Sequence, residues 1–186
     1  MEDQQIVQLY FDREERAIPE TAKKYGRYFM TIARNILGNG EDAEECVNDT
    51  YLQAWNTIPP NRPQMLSAFL GKIVRNLAFN KYKYNTADKR GKGELPLVLQ
   101  ELAGCIPSAE DVAKTYEKKE LTQMINEFLA ALPEEKRRLF VRRYWYTDSV
   151  NDIARHYGMS PAAVSMSLKR LREKLHHFLK ERRYEL

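Results

Sequence analysis

The chain of 186 residues has room for one large domain or two small ones, and it is 43% hydrophobic and 30% charged. This hydrophobic content is sufficient for packed cores. The N-terminal residues have no signal-peptide pattern, and no apolar run approaches the length of a transmembrane helix. We therefore expect a reduced, cytoplasmic protein that is not inserted in a membrane.

The net charge of +4 is distributed unevenly. Residues 1–90 contain thirteen bases and twelve acids, residues 91–132 four bases and seven acids, and residues 133–186 thirteen bases and seven acids. The last segment therefore has a net charge of +6. Such a concentration of positive charge favours binding to a phosphate backbone.

Helical periodicity begins with an apolar stripe from Tyr25 to Ile36. A second amphipathic helix is predicted from Glu41 to Ile58, and Cys46 lies on its apolar face as an expected core residue. The prolines of residues 59–63 interrupt helix formation, because proline lacks the amide donor. A third helix with an apolar face from Leu66 to Leu77 follows.

Residues 86–108 are predicted to link an N-terminal domain of residues 1–85 to a C-terminal domain of residues 109–186. Glycines and prolines interrupt any long element here, but the apolar residues Leu95 to Leu102 argue against a fully solvated tether. This segment could form a short helix, bind a partner or pack on the protein's own domains, and the sequence leaves these alternatives open.

The C-terminal segment from Asp148 to Leu175 has the pattern of a helix-turn-helix. Ser149 and Asp152 have capping-box spacing, Gly158 suits a left-handed turn, and Ser160 with Pro161 suits the start of the second helix. A plain helical hairpin would need the same residues, but the surrounding positive charge favours DNA binding. Side chains available to phosphates include Arg142 and Arg143 on the helix before this motif and Lys174 on its second helix.

With no strand pattern anywhere, the predicted fold is all-α, with two small helical domains.

Two oppositely charged segments stand out in the N-terminal half. Residues 41–49 contain five acids and no base, whereas residues 62–90 contain seven bases and one acid. Aromatic residues lie among these bases, and Tyr82 and Tyr84 are candidates for stacking on nucleic-acid bases.

The segments DAEECVNDTYLQAW, LSAFLGKIVRNLAFNKYK, LPEEKRRLFVRRYW and DIARHYGMSPAAVSMSLKRLREKL, in this order, resemble an extracytoplasmic-function (ECF) sigma factor of bacterial RNA polymerase. The resemblance covers about residues 20–85 and 109–180. It implies a non-enzymatic protein that binds core polymerase and promoter DNA, and relatives are often held by an anti-sigma factor. The residues that would bind polymerase are Asn48, Asp49, Leu52, Gln53 and Trp55.

The resemblance also implies the promoter contacts. The minus-ten element would be contacted from the loop of residues 56–65 and the helix after it, through Asn56, Ile58, Asn61, Arg62, Lys72, Arg75, Asn76, Asn80 and Lys81. The minus-thirty-five element would be contacted by Ser160, Pro161, Ala162, Ser165, Met166, Lys169 and Arg170. Where the family usually has basic residues in the second helix, this chain has Ser165 and Ser167, so its minus-thirty-five preference is left open.

Two other classes of function compete with this interpretation. A stand-alone helix-turn-helix regulator would bind a palindromic site as a symmetric dimer, but it would not need the acidic cluster facing a basic helix. A nucleic-acid enzyme would need a catalytic constellation, and the cysteines and the three histidines lack metal-ligand spacing. Asp42, Glu45 and Asp49 share a helical face that could in principle hold magnesium, but such acids more often face solvent or a partner. We predict no catalytic residue, no metal and no cofactor.

Overall fold

The computed structural model describes residues 1–88, 94–103 and 115–183, and in these residues it contains helices and no strand. The predicted all-α fold is therefore confirmed. The helices are α1 (Asp3–Phe11), α2 (Ala17–Leu37), α3 (Gly40–Thr57), α4 (Leu66–Asp88), α5 (Leu95–Ala103), α6 (Thr115–Ala131), α7 (Glu134–Tyr144), α8 (Val150–Tyr157) and α9 (Pro161–Arg183). None of the described helices is both long enough and apolar enough to cross a membrane.

The chain divides into two compact units, Met1–Glu94 and Leu95–Leu186. Helix α5 lies within the segment that was predicted to be a linker, and its Val98 belongs to the core of the second unit. The structure thus adds a helix to the C-terminal unit. Of the alternatives for the apolar segment Leu95 to Leu102, it supports a short helix that packs on the protein's own second unit. The predicted cap at residues 108–111 and Cys105 lie outside the described residues.

The first unit is a bundle in which α2, α3 and α4 pack against each other and α1 packs on α2. Phe29, Cys46 and Val74 from the three long helices are fully or almost fully buried, so the prediction of Cys46 as a core residue is confirmed. Helices α2 and α4 approach closely at Gly71, where a Cβ atom would lie only 2.2 Å from the Tyr28 hydroxyl. A side chain at this position would displace the Tyr28 ring from its contact with α4.

The second unit forms around an apolar core to which α5 to α9 all contribute. The predicted helix caps are confirmed, because Ser149 Oγ accepts a hydrogen bond from the amide of Asp152 at 3.1 Å and Ser160 Oγ accepts one from the amide of Ala163 at 3.2 Å. Gly158 has φ +63° between α8 and α9, a conformation that favours glycine. Helices α8 and α9 therefore have the turn geometry of the predicted helix-turn-helix.

Candidate nucleic-acid interface

One side of α3 is polar and exposed, and it contains four of the five predicted polymerase-binding residues. Asn48, Asp49, Leu52 and Gln53 are exposed, and we refer to them as the α3 surface. Leu52 is 59% exposed, while Cys46, Thr50 and Ala54 on the opposite side are buried. These four side chains are therefore available for contact with a partner.

Trp55, the fifth predicted residue, is half-buried and packs within the first unit. Its ring contacts Tyr10 edge-on, with the ring centroids 6.1 Å apart, and the guanidinium of Arg13 lies 5.3 Å from its ring centroid. Arg13 Nη1 also donates a hydrogen bond to the carbonyl oxygen of Trp55 at 2.6 Å. Trp55 therefore holds the connection between α1 and α2 against α3.

The acidic cluster at the start of α3 binds α4. Lys81 forms ion pairs with Asp42 at 3.2 Å and with Glu45, and Asn85 donates to Asp42 at 2.9 Å. Partial burial by itself lowers the pKa of Lys81, but the hydrogen bonds to the two carboxylates outweigh this effect and raise the pKa. The ammonium group of Lys81 is thus engaged in pairs between α3 and α4, and its predicted contact with DNA stays a prediction. Among the described residues, no group of three or more His, Cys, Asp or Glu side chains could hold a metal.

At the end of α3 and in the proline-containing loop before α4, some of the predicted DNA contacts are exposed and one is buried. Ile58 has no exposed surface, so the prediction that it contacts DNA is corrected. Asn61 and Arg62 are exposed, but Asn61 donates to the carbonyl of Thr57 at 3.0 Å. The guanidinium of Arg62 lies 4.3 Å from the Phe11 ring centroid. Residues Asn56 and Met65 are also exposed, and Met65 is 67% exposed.

Helix α4 presents an exposed row at four-residue spacing. It comprises Lys72, Asn76 and Asn80, which we call the α4 surface. Tyr84 follows one turn later and is 82% exposed. Arg75 lies differently from the prediction: it is half-buried, with its guanidinium 5.0 Å from the Phe79 ring centroid. Burial lowers the pKa of Arg75 to about 10, which leaves it charged at neutral pH.

Helix α9 has one buried and one exposed side over its first three turns. Val164, Leu168 and Leu171 are buried in the core of the second unit. The predicted minus-thirty-five residues lie at the start of the helix or on its other side, and all are exposed: Ser160, Pro161, Ala162, Ser165, Met166, Lys169 and Arg170. We call the last five of these the α9 surface. Ser167 is half-buried, and its hydroxyl accepts a hydrogen bond from Lys136 Nζ at 3.4 Å, so it does not share this surface.

The comparisons with known families agree with this arrangement. The family model described as sigma-70 region 2 matches residues 21–87, and the model described as sigma-70, region 4 matches residues 122–175. The chain belongs to the sigma-70 family, within its ECF group. It is a sigma factor that binds bacterial core RNA polymerase and directs promoter-specific initiation of transcription. The family resemblance inferred from the sequence is confirmed.

Similarity to solved structures is more distant. A chain of the "Structure of CnrH in complex with the cytosolic domain of CnrY" is 19% identical, with a TM-score of 0.45. The alignment covers 96% of the sigma factor and 97% of that chain. No curated protein matches the sigma factor.

Two arginines of region 4 that were predicted to contact phosphates are used inside the second unit. Arg143 is 1% exposed, and it donates to the carbonyl oxygen of Asp148 and to Glu101 Oε1, both at 2.7 Å. Arg142 Nε donates to Asp148 Oδ2 at 2.7 Å, and the Asp148 side chain is 4% exposed. The prediction is wrong for Arg143, because its guanidinium has no access to DNA. Lys174 is exposed and stays a predicted phosphate contact.

Glu101 compensates the charge of the buried Arg143, and no local pattern in the sequence indicates this role. Besides Arg143, it accepts hydrogen bonds from Tyr144 at 2.9 Å and from Arg172 at 3.2 Å. Partial burial raises the pKa of Glu101, but the hydrogen bond and charge of Arg143 outweigh this effect and bring the pKa below its ordinary value of 4.5. The Glu101 cluster (Glu101, Arg143, Tyr144 and Arg172) therefore connects α5, α7 and α9.

We expect Glu101→Ala to destabilise the second unit by about 3 kcal/mol, because it removes the ion pair between Glu101 and the buried Arg143. Hydrogen–deuterium exchange of the full chain measures this, with faster exchange expected in peptides from α7 and α9 and no change in α2 to α4. The control is Glu127→Ala, which breaks the Arg182 pair at 2.6 Å. Both side chains of that pair are more than a third exposed, so its loss should cost below about 1 kcal/mol. Equal effects of the two variants would contradict the prediction.

The same carboxylate makes the second unit sensitive to acid. Because the folded-state pKa of Glu101 is lowered, its stabilising contribution is present above about pH 4.5 and is lost as the pH falls through the folded-state pKa. Urea unfolding of the wild type and of Glu101→Gln should therefore give a difference in unfolding free energy that is large at neutral pH and shrinks below this value. A difference that is constant with pH would rule out the carboxylate charge as its cause.

Proposed function

We propose that three helix surfaces of the sigma factor have three different binding functions. The α3 surface binds core polymerase, the α4 surface contacts the minus-ten element, and the α9 surface enters the major groove of the minus-thirty-five element. The observation that carries this proposal is that all three surfaces are exposed on helices whose opposite sides are buried. Their positions are therefore set by the cores, and little ordering is needed on binding.

The α3 surface suits a protein partner better than DNA. It has no basic residue, and Asp49 adds a negative charge that a phosphate backbone would repel. Leu52 is the apolar side chain of this surface, and buried apolar contacts at the middle of an interface contribute most to binding. We assign Leu52 as the main apolar contact with polymerase, with Asn48, Asp49 and Gln53 around it. Trp55 supports this helix from within the unit.

Replacing Leu52 with glutamine should weaken binding to core polymerase by roughly tenfold, because truncation of a central interface residue costs more than about 1 kcal/mol. The measurement is a binding titration of the full chain with core enzyme. Leu97→Gln is the matched control, since Leu97 is a comparably exposed leucine on α5, at 51%. An affinity of Leu52→Gln equal to that of the wild type would exclude Leu52 from the interface.

The α4 surface suits a nucleic-acid strand. Lys72 supplies a positive charge for phosphate, Asn76 and Asn80 supply donors and acceptors for base edges, and Tyr84 supplies an exposed ring. Asn56 at the end of α3, and Asn61 and Arg62 in the loop before α4, are exposed and stay in the proposed minus-ten contacts. Ile58 is omitted because it is buried, Lys81 because its ammonium group pairs with Asp42 and Glu45, and Arg75 because it is half-buried.

Opening of the promoter duplex should require core polymerase, because the sigma factor alone gains too little free energy from captured bases. Breaking a base-pair step costs about 0.6–2.2 kcal/mol, and stacking one captured base returns roughly 1–3 kcal/mol. One or two captured bases can therefore start a bubble but cannot hold a full one. The isolated sigma factor should leave promoter DNA double-stranded, as judged by permanganate reactivity of its thymines.

If Tyr84 stacks on an unpaired base, Tyr84→Ala should lower the fraction of open promoter by roughly fivefold or more, since one base stack is lost. Permanganate reactivity of the holoenzyme–promoter complex measures this fraction. Tyr84→Phe keeps the ring and should retain opening. Loss of opening in both variants would assign the role to the hydroxyl group, and no loss in either would exclude Tyr84.

The α9 surface carries the charge that phosphates need in its third turn. Lys169 and Arg170 are exposed there, and Lys174 follows one turn later. Ser160 caps the helix, and Pro161 occupies its first position. The helix N-terminus adds a favourable dipole for a nearby phosphate.

The proposal is tested by transcription with core polymerase, the purified full chain and fragmented host genomic DNA. Sequencing of transcript 5′ ends should find discrete start sites that share two spaced upstream motifs. A palindromic site bound without core enzyme would instead favour a stand-alone regulator. Binding to core without specific transcripts would contradict the assignment of the α4 and α9 surfaces.

We further propose that the protein acts in the cytoplasm, where the polymerase is, and has no catalytic activity or cofactor of its own. Members of the sigma-70 family are initiation factors that work through the catalytic centre of the polymerase. An anti-sigma factor stays a prediction. Co-purification of the tagged full chain from its host would identify such a partner.

A further inference from the structure

Met166 is the large hydrophobic residue left exposed among the described side chains of α6 to α9, at 51%. It lies in the second turn of α9, directly opposite the buried Val164 and Leu168. The other large apolar side chains of this helix face the core. About half of the Met166 side chain is therefore available for contact with a partner.

Met166 lies where the uncharged part of the α9 surface meets its charged part. Residues 161–168 contain no Lys, Arg, Asp or Glu, so on its N-terminal side Met166 adjoins Ala162 and Ser165. Lys169 and Arg170 adjoin it on the C-terminal side, because side chains three and four residues apart are neighbours on a helix. The first two turns therefore offer methyl, thioether and hydroxyl groups, and they lack the guanidinium or ammonium that would bind the edge of a guanine.

In the major groove, one base presents an apolar group at its edge, the C5 methyl of thymine. A methionine side chain is unbranched and polarisable, so it can follow a methyl group in the groove without a fixed geometry. We propose that Met166 is a specificity-determining residue that selects thymine in the minus-thirty-five element through contact with this methyl group. This inference rests on the proposed position of the α9 surface in the major groove.

The test uses holoenzyme formed with the full chain and a promoter fragment obtained from transcript mapping. Each thymine of the minus-thirty-five element, on either strand, is replaced by deoxyuridine, which lacks only the methyl group. For the wild type, at least one replacement should weaken binding by roughly fourfold, the effect of burying one methyl group.

Variants assign the effect to the side chain. Met166→Gln has a similar length but a polar end, and it should bind thymine and deoxyuridine fragments equally. Met166→Leu should keep the discrimination. Leu97→Gln is the matched control, because Leu97 is also 51% exposed in the second unit, and it should discriminate as the wild type does.

The outcomes separate this inference from the function on which it rests. If scrambling the whole minus-thirty-five element does not weaken binding, the α9 surface does not contact it and both proposals fail. If scrambling weakens binding but no deoxyuridine replacement does, or if the element contains no thymine, the role of Met166 alone is overturned. Discrimination that persists in Met166→Gln overturns it as well.

Discussion

The helical period constrains every part of this sigma factor, because an amphipathic helix that buries one stripe must present the other to solvent. In α3 the buried Cys46 and Ala54 leave Leu52 outside, and in α9 the buried Leu168 leaves Met166 outside. The cores therefore orient the exposed side chains as well as stabilising the units. A rigid surface of this kind loses little conformational entropy when polymerase or DNA binds.

Positive charge is divided between internal and external uses. Lys81 neutralises two carboxylates between α3 and α4, and Arg143 is buried between Glu101 and the Asp148 carbonyl. Both cations pair with carboxylates between helices, and the buried Arg143 cannot contact phosphates. The charge left for DNA is concentrated on exposed positions such as Lys72, Lys169 and Arg170. Net charge along the sequence thus indicates the class of partner but overstates the number of contacts.

Helix α5 contributes Glu101, which pairs with the buried Arg143 of α7. A guanidinium as buried as that of Arg143 destabilises a core unless a carboxylate compensates it, and that carboxylate comes from a segment outside both of the matched family regions. Val98 and Leu102 add apolar contacts from the same helix. The C-terminal unit is therefore larger than region 4, and α5 is part of its folding unit.

The sequence by itself determined the long helices of the first unit, the caps of α8 and α9, the helix-turn-helix and the family, because these depend on local periodicity and on residue order. The resemblance to the family also implied contact residues on α3, α4 and α9, and most of them are exposed. Only the tertiary structure decided that Ile58 and Arg143 are buried and that Lys81 forms ion pairs. Their burial or pairing depends on residues distant in sequence, such as Asp42 and Glu101, and no local pattern encodes which distant carboxylate a cation will meet.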